Sequence, residues 1–103
     1  MNEPNQEYKQ DLGKPQMSFL LEFPHALTAF VRVCEFGARK YGRGTWPRVE
    51  KQRYLDAEMR HAIFQGPDCK QIDKESGLPN KWHDLWNLMA EIEMDEREKE
   101  LAK

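Results

Sequence analysis

Arg53, Asp56 and Arg60 stand at successive steps of three and four residues in "RYLDAEMRH". On a helix that spacing brings two guanidinium forks and one carboxylate onto one face, with His61 at its edge. A guanidinium presents a rigid fork of donors that matches phosphate oxygens. Upstream, Lys40 runs into "YGRGTW", residues 41–46, which adds Tyr41, Arg43 and Trp46. Aromatic ring faces stack on nucleobases and on cations. Downstream, His83, Asn87 and Glu91 share a helix face, and the preceding loop carries Asp68, Asp73, Glu75 and Ser76. The chemistry these residues suit is recognition of a flat, phosphorylated ligand. The bland alternatives stay open at this point. Arg53 and Arg60 can pair with Asp56 on a solvated surface. His61 can be a core-edge histidine, and Asp73, Glu75 and Ser76 can be a turn and a helix entry. The dipeptide His83-Asp84 also occurs in metal phosphohydrolases, but His25 and His61 are not spaced to complete such a site.

Three helices must position these groups. Pro24 suits a first helical turn, where its missing N–H costs nothing. Leu27, Phe30, Val31, Cys34, Ala38 and Tyr41 then follow at helical spacing up to Gly42, a natural stop. Gly37 inside this helix would let another backbone come close. A second helix is predicted from about Glu50 to Gln65, with Tyr54, Ala57, His61 and Phe64 in one stripe and Gly66-Pro67 as its end. A third starts near Asn80, its apolar stripe being Trp82, Leu85, Trp86, Met89 and Ile92. Its tail carries Glu93–Arg97 and Asp95–Lys99 at the spacing that supports an exposed helix. The connection 66–79 is long for a helix–helix link, a common mark of functional loops.

Residues 1–16 are polar and read as an extended, mobile arm; residues 17–103 read as one helical domain. The patch "MSFLLEF", residues 17–23, is expected to lie across the helices. No strand pattern or internal repeat is visible. The predicted fold is therefore all-α: a compact three-helix unit with an extended N-terminal arm. Three Trp, three Tyr and five Phe exceed what one small core can cover, which points to a homo-oligomer or a ligand over the surplus.

Sixteen basic against eighteen acidic residues, a formal charge of −2, exclude the basic surplus of a nucleic-acid-binding surface. No signal peptide and no long apolar run are present, so a soluble protein of the cytoplasm without membrane contact is expected. Cys34 and Cys69 have no metal-ligand spacing and read as free thiols, a disulfide between them being the minority alternative.

"KP", "EFGARKYGRGTW", "RYLDAEMRH" and "DKESGLPNKWHDLWN" together resemble the N-terminal domain of the phage dATP/dGTP diphosphohydrolases, a family grouped with MazG-related nucleotide proteins. The resemblance spans about residues 14–92. It implies a bacteriophage source, a helical fold and nucleotide-related work in the host cell cytoplasm. It singles out Lys40, Tyr41, Gly42, Trp46, Asp56, Arg60, His61, Asp73, Ser76, Gly77 and Asn87. Where this chain has Gly66-Pro67 and Asn80, family members often carry Gly-Glu and a His.

MazG-type pyrophosphohydrolases hold Mg²⁺ with carboxylates repeated along helix faces, since Mg²⁺ demands oxygen ligands in near-octahedral geometry. Asp56 has no such companions on its own helix face. The favoured expectation is therefore a binding protein with no cofactor and no catalytic residue. It would capture a purine nucleotide or a nucleotide-derived signalling molecule and sequester it, a counter-defence sponge. Lys40, Arg43, Arg53 and Arg60 would hold phosphates, Tyr41 or Trp46 would stack the base, and His61, Ser76 and Asn87 would donate or accept hydrogen bonds. The first alternative is a Mg²⁺-dependent dATP/dGTP-type pyrophosphohydrolase. In it Asp56, Asp68, Asp73 and Glu75 hold the metal, Asp73 and His61 are catalytic, and His61 or His83 is the base. The second is a module that docks a host protein through its aromatic residues.

Overall fold

The computed structural model describes residues 12–65 and 72–102; the side chains of Lys51, His61, Ala62, Phe64 and Gln65 lie outside the description. Three α-helices account for most of it: α1 (Pro24–Tyr41), α2 (Lys51–Gln65) and α3 (Asn80–Leu101). Among the described residues there is no strand, and no helix is long and apolar enough to cross a membrane. The long helix α3 is the scaffold on which both α1 and α2 pack.

Local chemistry explains the boundaries. Pro24 occupies the first turn of α1, and Thr28 donates its hydroxyl back to the Pro24 carbonyl at 2.7 Å. Arg39 and Lys40 lie in the last turn, where the helix dipole favours cations. Gly42 ends the helix at φ 89°, a left-handed region costly to residues with a Cβ, and its N–H donates to the Ala38 carbonyl at 2.9 Å. The Thr45 hydroxyl then closes the turn onto the Tyr41 and Gly42 carbonyls at 3.1 and 2.9 Å. A short 3-10 turn, Trp46–Arg48, leads into α2.

The interior is thin. The buried apolar residues among those described are Ala29, Val33 and Ala90. They are small and bury little apolar area. On α3 the buried line is Asn80, Asn87 and Ala90, with His83 largely covered on the same side. This corrects the expected stripe: Met89 and Ile92 are exposed, and the polar face that carries His83 and Asn87 lies partly inside.

Two other expectations change. The patch at 17–23 forms a 3-10 turn (Met17–Glu22) that touches α1, yet Met17, Phe19, Leu21 and Phe23 remain exposed, because so short a turn covers little surface. Gly37 has no atom within 4 Å of where a Cβ would stand, so it marks no close backbone approach. The helix end expected at Gly66-Pro67 and the Cys69 thiol lie outside the described residues, while Cys34 is a free thiol.

Candidate functional site

The loop before α3 is held shut by its own backbone. Ile72 and Pro79 form an isolated antiparallel bridge, and the Asp73 N–H donates to the Leu78 carbonyl at 2.8 Å. Gly77, at φ 75°, donates to the Asp73 carbonyl at 2.8 Å, a reversal that requires a residue free to adopt positive φ. Inside the turn, Asp73 Oδ2 accepts the Ser76 N–H at 2.8 Å, and Ser76 Oγ accepts the Leu78 N–H at 3.1 Å. Asp and Ser commonly stabilise turns by binding backbone in this way.

Ser76 also reaches α3: its Oγ lies 2.7 Å from His83 Nε2. Asp73 Oδ2 is 3.8 Å from the same ring nitrogen. With Nε2 unprotonated, the serine hydroxyl donates to it; with Nε2 protonated, the ring donates to Ser76 and faces Asp73. Acid and serine share one ring nitrogen, so this is not the triad in which the acid orients the ring from its opposite nitrogen. Phe36 of α1 meets the His83 ring edge-on at 6.0 Å, which fixes the imidazole between α1 and α3.

Lys40, at the end of α1, closes this cluster from the other side through an ion pair with Glu75. Its ammonium lies 5.0 Å from the Tyr41 ring centroid and 6.0 Å from that of Phe36. The hydrogen bond to Glu75, and secondly that to Tyr41, pushes the Lys40 pKa up to about 12. The pair is solvent-exposed and serves to place the loop on α1 more than to stabilise the fold. Tyr41 itself is 67% exposed, and Arg43 is exposed beside it in the turn.

Trp46 belongs to a second cluster. Its ring meets Trp86 of α3 edge-on at 5.9 Å, and Tyr54 of α2 meets Trp86 at 5.4 Å. Tyr54 donates its hydroxyl to the Trp46 carbonyl at 2.5 Å. The Arg97 guanidinium lies 5.4 Å from the Trp46 ring centroid while donating to Glu93 at 2.8 Å. Lys40 and Trp46 are thus engaged in two separate clusters, Arg43 is exposed between them in sequence, and an intramolecular cation already lies over Trp46. Spacing along the helix gave the Glu93–Arg97 pair but carried no signal for Trp46.

Burial raises the Tyr54 pKa above that of a free tyrosine, because the phenolate loses water. A group whose folded pKa is raised contributes stability below its unfolded pKa and loses it as pH rises through the folded value. Stability is therefore expected to fall above about pH 10, as the phenolate can no longer donate to Trp46. Melting curves of wild type and Tyr54→Phe across pH 8–11 test this. The variant should start lower by about 1 kcal/mol and show a shallower alkaline loss; parallel curves would refute the assignment.

On α2, Arg53 and Arg60 are exposed and form no ion pair with Asp56 among the described residues; Asp56 instead accepts from Gln52 Nε2 at 2.9 Å. His61 lies on α2 by its backbone, but its side chain, like the whole of Asp68, is outside the described residues. Asn87 is buried in the helix packing. Of the carboxylates expected for Mg²⁺, the described ones each have a partner: Asp73 accepts from the Ser76 amide, Glu75 pairs with Lys40, and Asp56 accepts from Gln52. Among the described residues no group of three His, Cys, Asp or Glu is placed to hold a metal ion.

Asn80 is almost fully buried at the start of α3, and its side-chain oxygen has no hydrogen-bond partner. Sequence reasoning passed over this residue as a site and over the contact of Phe36 with His83. No spacing rule could have paired Lys40 with Glu75 across 35 positions.

A family model described as "dATP/dGTP diphosphohydrolase, N-terminal" matches residues 4–103. A protein of Salmonella phage PMBT28 named dATP/dGTP diphosphohydrolase is 33% identical over 81 residues, which cover 79% of this chain and 27% of that protein. The chain thus spans about a quarter of the relative's length. No solved structure matches. Matched by that family model over residues 4–103, the chain belongs to the family of dATP/dGTP diphosphohydrolase N-terminal domains.

Proposed function

We propose that this chain is a phage nucleotide-binding module that captures a purine nucleotide, or a signalling molecule derived from one, and holds it without cleaving it. One observation carries the reading. Cations, an open aromatic ring and a serine–histidine pair gather where α1 meets the loop 72–79, while each described carboxylate that a Mg²⁺ ion would need has another partner. Arg43 and Lys40 with Arg53 and Arg60 supply positive charge for phosphates, and Tyr41 supplies a stacking face. Ser76 and His61 are the hydrogen-bonding side chains, Asn87 being buried in the helix packing, and Trp46 is a second stacking face once Arg97 moves aside. Family membership supports a purine deoxynucleotide as the ligand class, since the relative is named for dATP and dGTP. Capture without turnover lowers the free ligand in proportion to the protein made, which suits a counter-defence role in the host cytoplasm.

The relative's name favours a second reading, hydrolysis of a purine deoxynucleoside triphosphate. A thermal-shift panel with dATP, dGTP, their monophosphates and cyclic nucleotides, with Mg²⁺ and with a chelator, separates the two. Sequestration gives a higher melting temperature in chelator and intact nucleotide on chromatography; Mg²⁺-dependent product supports hydrolysis instead. No shift with any nucleotide overturns both and favours docking of a host protein.

A further inference from the structure

We propose that the outward face of α3 is a self-association surface on which a second copy of this chain packs antiparallel. Helix α3 has two opposite seams. The inner one, Asn80, His83, Asn87 and Ala90, faces its own chain. The outer one is more apolar: Leu88, Met89 and Ile92 are 49%, 38% and 53% exposed, and half-buried Leu85 falls on the same side of the helix. The Cα radius of gyration is 17.8 Å, whereas a compact domain of this size has about 13 Å. A chain whose described buried apolar residues are two alanines and a valine leaves unusual apolar area for a partner.

Charge identifies the occupant. Along the outer face the apolar centre is bounded by Lys81 at the N-terminal end and by Glu96 at the C-terminal end. A two-fold axis between Leu88 and Met89 places Leu85 opposite Ile92 of the second copy, and Lys81 opposite its Glu96. A parallel pairing would instead set lysine against lysine and acid against acid. An isologous contact repeats every favourable pair twice. A shallow depression lined in part by Asp95, Glu96 and Lys99 lies at the acidic end, where the second copy's Lys81 arrives. The Glu96–Lys99 ion pair within α3, at 3.0 Å, is exposed and does not prevent this exchange.

Sedimentation of the full chain in a dilution series tests the proposal. Wild type should show a dimer that dissociates on dilution, and Leu88→Asp a monomer with unchanged helical circular dichroism. Lys81→Glu and Glu96→Lys should each weaken the dimer by roughly three- to tenfold, and the double variant, which restores opposite charges, should recover it. A monomeric wild type at every concentration overturns the proposal. So does a dimer that survives Leu88→Asp, or a double variant weaker than either single one.

Discussion

Trp86→Ala is expected to lower the melting temperature by about 10–20 °C and to separate α2 from α3. Trp86 is half-buried, yet it is the ring on which Trp46 and Tyr54 both rest, at 5.9 and 5.4 Å. Removing a large aromatic from a packed site costs about 3–5 kcal/mol; partial exposure brings this to about 2–3 kcal/mol. Each edge-to-face contact contributes about 0.5–1.5 kcal/mol of that figure. For a domain of about 100 residues, 1 kcal/mol moves the melting temperature by about 4–8 °C. The loss is a large share of the stability because the rest of the described interior is small: Ala29, Val33 and Ala90 hold little apolar area. Trp86→Phe keeps one ring in place and should recover about half of the difference. A shift below about 2 °C for the alanine variant, the level of an ordinary surface substitution, would show that other contacts join α2 to α3.

The same cluster shows what was legible in the sequence. The helix limits were, because Pro24, Gly42 and the start at Asn80 act locally: a ring fixes φ, a missing Cβ permits the left-handed turn, and neither depends on distant neighbours. The apolar stripe of α3 was legible as a stripe, but its direction was not. Periodicity finds an apolar face and cannot say whether the same chain or another covers it. The small Ala90 draws α3 inward on the opposite side, with Asn80 and Asn87 buried beside it, so Met89 and Ile92 face outward. The residue types of the candidate site were also legible. Their pairings were less so: Ser76 with His83 spans a loop-to-helix boundary, and Lys40 with Glu75 joins segments whose approach is set by packing.

These pairings separate the basic residues into two kinds. Lys40 is committed to Glu75 and Arg97 to Glu93 and the Trp46 ring, so removing either charge disturbs the fold's own contacts. Arg43, Arg53 and Arg60 are exposed and form no ion pair among the described residues. Unpaired guanidinium groups keep their full capacity for a phosphate, and they can be removed with little structural loss.

Arg60→Ala is therefore the sharpest single test of nucleotide capture. Its side chain is exposed on α2, so the melting temperature of the free protein should move by no more than about 2 °C. If Arg60 holds a phosphate, a charge-assisted hydrogen bond worth about 1.5–3 kcal/mol is lost, which weakens dATP or dGTP binding by roughly 10- to 100-fold. Arg60→Lys keeps the charge without the two-pronged geometry and should recover only part of the affinity. Calorimetric titration of the three proteins gives the comparison, with raised salt weakening all three through screening. Unchanged affinity in Arg60→Ala, with Arg43→Ala losing affinity instead, would move the phosphates from α2 to the exit of α1 beside Tyr41. Unchanged affinity in both would leave Arg53 as the remaining exposed guanidinium, and unchanged affinity in Arg53→Ala as well would overturn guanidinium recognition of the phosphates.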